Sequence, residues 1–188
     1  MEGRAGLVTG ANHFFYFAYG SNMLRQRIQL KNSSATVCYI AKLPDFELVF
    51  GDHKGKSNTR WYGGVASITQ SVGKEVWGVV WKINIEDLES LDGQESVDKG
   101  VYSPTEVTVY TEAGQELICR TYQMNDCIRS LTSPQYKKVI CLGAEQNGLP
   151  DAYLEKLYAT ETNGYIGPVS LMDEIENKLK EIGKNSNI

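Results

Sequence analysis

Apolar runs with strand character fill the first two thirds of this chain, and helical spacing dominates the last third. The run FFYFA (14–18) is apolar on both faces, which predicts a central strand. It stops on Tyr19-Gly20-Ser21-Asn22, where small and hydrogen-bonding side chains take over. Asn22 is placed to cap a helix over MLRQRIQL, with Met23, Arg27 and Leu30 near one face. TVCYIAKLPDFELVFG (36–51) predicts two strands parted at Pro44-Asp45, and the polar stretch 52–64 predicts a loop. VASITQ (65–70) and EVWGVVWKI (75–83) predict two further strands around a turn at 71–74. Gly78, in mid-strand, marks a close approach by another backbone or a ligand.

IEDLESLDGQE (85–95) turns helical, since Ile85, Leu88 and Leu91 recur at spacing three, and Gly93 then breaks the helix. Residues 101–111 and 115–124 predict a hairpin. PQYKKVICLGAEQNG (134–148) predicts a helix ending at Asn147-Gly148, followed by helices over 151–160 and 169–183. Strands first and helices last imply an α+β fold: a small mixed, mostly antiparallel curled sheet or β-barrel with flanking helices. The expected organisation is a single domain over 14–168, a loose arm at 1–13, and a surface C-terminal helix and tail over 169–188.

Composition narrows the partners. At 188 residues, one domain with a core that needs no metal or disulfide is expected. The net charge of −4 argues against a dedicated nucleic-acid binder. The four cysteines show no C-x-x-C pair, and the two histidines, His13 and His53, are too few for a multi-histidine site, so no metal is expected. With neither a signal-peptide core nor an apolar run of about 18 residues, the reading is a cytoplasmic protein that does not enter a membrane.

Three groups of residues bear on chemistry. The bend from Tyr19, with a helix starting at about Met23, can turn backbone N–H groups toward a carboxylate or a developing oxyanion. The same residue types also make an ordinary turn, and spacing alone leaves both open. Among the carboxylates, Glu89 reads as a solvated helix face, whereas Glu95 sits at an element end. Tyr19, Tyr102, Tyr122 and Tyr136 lie at edges of predicted elements, where a phenol can wall a pocket and hydrogen-bond a ligand. Ser21 has no histidine near it in sequence, and His53 reads as a surface residue in a polar loop.

YFAYGSNM, VWGVVWKI, SLDGQE and SPQYKKVICLGAEQNGLP, in this order and spacing, closely resemble the γ-glutamylcyclotransferase family from about Phe14 to Gly167. The resemblance implies a small mixed β-barrel and a cofactor-free reaction on a small-molecule substrate. In it, a γ-glutamyl amino acid becomes 5-oxoproline and the free amino acid. It implies that Tyr19, Gly20, Ser21, Asn22 and Met23 form the substrate-binding loop. Glu95 would be the catalytic acid/base, and Tyr102, Tyr122 and Tyr136 would line the cavity. It further implies a homodimer. Alternatives are a γ-glutamylamine- or glutathione-specific cyclotransferase, or a non-catalytic protein that binds an acidic metabolite. Relatives commonly carry Gly after the catalytic Glu, but this chain has Ser96, which a left-handed backbone there would strain.

Overall fold

The computed structural model describes residues 12–185, with side chains as far as 181. Most of the expected arm, residues 1–11, lies outside the described residues. His13, the arm's expected last residue, instead belongs to the first strand.

Five strands close into a barrel: β1 (His13–Ala18), β2 (Thr36–His53), β3 (Val65–Asn84), β4 (Tyr102–Thr111) and β5 (Glu116–Met124). Their order is β3-β1-β5-β4-β2, and pairing of β2 with β3 completes the circle. A short β6 (Cys127–Arg129), not expected from the pattern, extends the sheet beyond β2. Among the described strands only β1 and β5 run parallel, so the mixed, mostly antiparallel expectation matches the fold. The helices are α1 (Arg25–Ile28), α2 (Leu88–Gln94), α3 (Pro134–Gln146), α4 (Asp151–Tyr158) and α5 (Ser170–Asn185).

The expected break at Pro44-Asp45 and the turn at 71–74 are not ends of strands. Both fall inside two long strands and face each other. The register shifts between Pro44 and Phe46, Asp45 takes a φ of 63°, and its Oδ1 accepts a hydrogen bond from the Gly73 N–H at 3.0 Å. The punctuating residues therefore make one shared β-bulge, which bends the ribbon where a barrel must curve. Gly78 does mark a close approach, and the neighbour is β1. A Cβ there would lie 2.4 Å from the Ala18 carbonyl oxygen and 2.8 Å from the Phe17 ring.

The bend after β1 departs from expectation. Ser21–Met23 form one 3₁₀ turn, Leu24 is extended, and α1 has only four residues. Asn22 therefore caps nothing; its side chain points inward. Two distant elements hold the bend: the Trp81 indole donates to the Asn22 carbonyl at 2.9 Å, and Asn147 Nδ2 donates to the Met23 carbonyl at 2.8 Å. On α3, the Ser133 hydroxyl accepts from the Tyr136 N–H at 3.1 Å, with Pro134 starting the helix, and so fixes the turn that carries Tyr136. The expected surface helix at the C-terminus buries one face, because Val169, Leu171, Met172 and Ile175 join the common core. Its charged residues occupy the other face, which is why composition reads as all surface.

The end of α2 positions the candidate acid. The helix runs through Gly93 rather than breaking there. It stops because Ser96 adopts φ 51°, with the Ser96 N–H bonded to Gly93 O and the Val97 N–H to Asp92 O. This is a Schellman cap with serine where glycine is favoured. Ser96→Gly removes a left-handed strain of about 1–2 kcal/mol and costs part of it back in unfolded-chain entropy. A net gain of about 0.5–1 kcal/mol is expected in urea unfolding; a loss of stability would show that the serine is not strained.

Candidate active site

The bend, the C-terminal end of α2 and the loop after β2 surround a cavity of about 330 Å³ at the barrel. Tyr19, Gly20, Ser21 and Asn22 line it, as do Glu95, Tyr102, Tyr122 and Tyr136. Met23 does not: it is fully buried in the core, and its N–H is spent on the Gly20 carbonyl at 3.1 Å. The expected helix N-terminus is likewise absent from the cavity, since α1 begins beyond the extended Leu24. What the bend contributes is close-packed backbone and the Asn22 amide. A side chain at Gly20 would meet the Tyr136 hydroxyl at 3.0 Å and the Ala66 methyl at 3.1 Å, so only glycine lets the chain pass there without displacing them.

The tyrosines brace the cavity wall. The Tyr19 hydroxyl donates to the Tyr122 carbonyl, and the Tyr102 hydroxyl donates to the Ala66 carbonyl at 2.6 Å. The Tyr136 hydroxyl accepts from the Ala66 N–H at 2.9 Å and packs closely against Gly20 of the bend. Burial pushes the Tyr136 phenol up to about 12 and raises Tyr19 and Tyr102 as well. All three are thus neutral phenols at physiological pH, able to donate or accept hydrogen bonds but not to act as bases.

Tyr122 serves the acid indirectly. Its hydroxyl donates to Asp92 and accepts from Arg120 Nε at 3.2 Å, while Arg120 reaches both Asp92 oxygens at 2.9 Å. Asp92 lies one turn before Glu95, so this cluster pins α2 to β5 and fixes the direction in which Glu95 leaves the helix. Glu95 is half-buried: its carboxyl faces the cavity but is walled by protein. Asn22 Nδ2 donates to Glu95 Oε1 at 3.2 Å and to the Tyr16 hydroxyl at 3.2 Å. Burial raises the Glu95 pKa to about 7, Asp92 adds to the rise, and Arg27 and Arg60 oppose it. A group poised there can accept and return a proton near neutral pH.

Several lining residues escaped the sequence reading. Tyr16 faces inward from β1, and the Gln94 side-chain amide lies between Asn22 and Arg27. Arg27 is 4% exposed yet borders the cavity. The signal for it was an arginine sharing a helical face with Met23 and Leu30, where an apolar residue would be ordinary. His53 is not a plain surface residue: it is half-buried at the cavity edge, with Nδ1 2.6 Å from the Asn125 carbonyl. Arg60 sits exposed at the mouth. Its backbone is held by Asn58, whose Oδ1 accepts from the N–H groups of Arg60 and Trp61 at 2.8 Å each. Trp61 anchors that loop by packing edge-on to Tyr136 at 5.0 Å. Among the described residues, no three His, Cys, Asp or Glu side chains are grouped to hold a metal.

Comparison with known proteins agrees with this geometry. The AIG2-like family matches residues 75–157, which include α2 and the tyrosine-bearing strands β4 and β5. A mouse protein named gamma-glutamylcyclotransferase is 52% identical over 180 residues, covering 96% of this chain and 94% of the relative. The human protein of that name is 52% identical over 176 residues, covering 93% of each. A solved structure named gamma-glutamyl cyclotransferase superposes with a TM-score of 0.86 at 52% identity, covering 90% of this chain and 99% of the other. Shared sequence over nearly the whole length and the same closed barrel together place this chain in the γ-glutamylcyclotransferase family.

Proposed function

We propose that this chain converts N-γ-glutamyl amino acids to 5-oxoproline and the free amino acid, with Glu95 as the acid/base. The observation that carries the assignment to Glu95 is a carboxyl of raised pKa, hydrogen-bonded to the bend inside a cavity of about 330 Å³.

The chemistry explains why such a site suffices. The attacking α-amine and the γ-carbonyl carbon belong to one molecule, so ring closure needs a folded substrate rather than a second reactant. Correct orientation in an intramolecular step can supply roughly 7–11 kcal/mol. The amine arrives protonated. Glu95 takes one proton, the nitrogen lone pair attacks the γ-carbon, and a tetrahedral centre forms. Glu95 then hands the proton to the departing nitrogen as its bond to carbon breaks. The second proton lost by the ring nitrogen leaves by the same route, and the amino acid departs as an ammonium. No water is consumed. An unshifted glutamate, near ~4.3, would be too weak a base for the first transfer.

A γ-glutamylamine or glutathione would use the same groups. Arg60, exposed at the edge of the cavity, provides a partner for a leaving group's own carboxylate, and the amino-acid reading itself is supported by the relatives named gamma-glutamylcyclotransferase. The cysteines are all free, which suits a reducing cytoplasmic compartment. The exposed Tyr62 and Ile166 supply apolar surface for the expected homodimer.

Incubation with γ-glutamyl-alanine, γ-glutamyl-ε-lysine and glutathione, followed by quantitation of 5-oxoproline, is expected to rank the first highest. No product from any of the three would refute the activity. Glu95→Gln should cut turnover by roughly 10²–10⁴-fold. In the wild type, kcat/KM should fall about tenfold per pH unit below about 7, a limb the variant lacks; near-normal turnover in the variant would remove Glu95 from the mechanism.

Stability gives an independent check. Because the folded pKa of Glu95 is about 7 and the unfolded value is near ~4.3, the folded protein holds a proton there that the unfolded chain releases. This contribution is fully present below about 4 and is lost as pH rises through about 7. At about pH 8, Glu95→Gln should therefore be more stable than wild type by about 1–3 kcal/mol, with the difference vanishing toward pH 4. Thermal unfolding across this range checks the sign.

A further inference from the structure

Arg27 borders the cavity, and the proton-transfer scheme gives it no task. It enters from α1 with 4% of its surface exposed. Among the described residues no carboxylate lies within ion-pairing distance of it, although Arg120 close by has Asp92. Its Nε is buried without a hydrogen-bond partner, and the two terminal nitrogens lie 3.1 and 3.3 Å from the neutral side-chain amide of Gln94. Burial and the Arg60 charge lower its pKa, but a guanidinium stays protonated in water-accessible sites. A buried cation with no counter-ion is costly, and proteins keep one where a ligand supplies the missing charge.

We propose that Arg27 is the receptor for the α-carboxylate of the γ-glutamyl group. The inference rests on the cyclotransferase reading and assigns one of its substrate contacts. In the substrate, the α-ammonium and the α-carboxylate sit on the same carbon, so their two protein partners must be neighbours. Glu95, Asn22, Gln94 and Arg27 form such a row: Asn22 Nδ2 donates to Glu95 at 3.2 Å and, with the Gln94 amide oxygen turned toward Arg27, to that oxygen at 3.1 Å, which also accepts from Arg27. The Arg27 charge is also the first of those that oppose the rise in Glu95, which places the two groups in the same field. A substrate with its ammonium on Glu95 thus brings its carboxylate toward a planar donor suited to carboxylates. The bend at Gly20-Ser21 is left for the γ-carbonyl oxygen, which must sit on the opposite side of the closing ring from the carboxylate.

The test deletes the carboxylate from the ligand and the guanidinium from the protein. Wild type and Arg27→Gln are each assayed with γ-glutamyl-alanine and with the analogue whose glutamyl α-carboxylate is a carboxamide. Wild type should favour the carboxylate substrate by about 100-fold in kcat/KM, and Arg27→Gln should lose about 100-fold on it while changing less than about threefold on the carboxamide. A uniform loss on both substrates, as a misplaced Glu95 or a loosened core would give, overturns the assignment. Arg27→Lys should recover part of the preference. If Arg27→Gln does not fold, the wild-type comparison decides alone, equal use of the two substrates refuting the contact. Calorimetry with 5-oxoproline, which keeps the same carboxylate, separates this inference from the activity. Wild type should bind it at least about tenfold tighter than its carboxamide whether or not turnover is seen, and equal affinity refutes the role of Arg27.

Discussion

A glutamate carboxyl held out of bulk water against the Asn22 amide is the constraint on which the rest of this structure depends. Taking a charge from water is expensive, so the fold must hold the group rigidly and compensate it locally. Two clamps do this. Arg120 and Tyr122 grip Asp92 and so fix α2 one turn before Glu95. Trp81 and Asn147 grip the bend opposite, and Tyr136 packs against it at Gly20. These residues come from β3, β5 and α3, so the barrel brings together elements far apart in sequence to frame one carboxyl.

The barrel also explains how the cavity presents polar groups from a well-packed wall. Its tyrosines lend apolar ring surface to the wall while their hydroxyls bond backbone groups, chiefly of Ala66 and Tyr122. Such satisfied phenols shape the space without adding charge. The charged side chains that line it are Glu95 and Arg27 near the bend, with Asp52, Lys56 and Arg60 from the end of β2 and the loop after it. A γ-glutamyl amino acid carries one ammonium and two carboxylates, a complementary set.

Much of this was legible in the sequence, and the failures share a physical origin. The barrel class, the hairpin of β4 and β5, the close approach at Gly78 and the convergence of Glu95 with the Tyr19–Asn22 bend all followed from local pattern or motif. Punctuation misled where tertiary curvature used it: Pro44-Asp45 and Ser71–Lys74 read as strand ends but form a bulge. Asn22 has the sequence signature of a cap, yet its amide does more in the cavity than at a four-residue helix. Gly93 looked like the helix breaker, whereas the left-handed Ser96 one residue past Glu95 ends α2. Met23 was grouped with its motif neighbours but faces the core, because a 3₁₀ turn rotates it away. Arg27 stayed hidden because its neighbours Gln94 and Glu95 come from the end of α2, which no local window contains.

Direct titration of the Glu95 carboxyl tests the central claim most plainly. Carbon-13 NMR of protein labelled at its glutamate carboxyls, with the Glu95 resonance identified by its loss in Glu95→Gln, should show one signal with a midpoint near 7. A Glu95 midpoint at the ordinary ~4.3 would contradict it, because the carboxyl would then be hydrated and too weak a base for the amine.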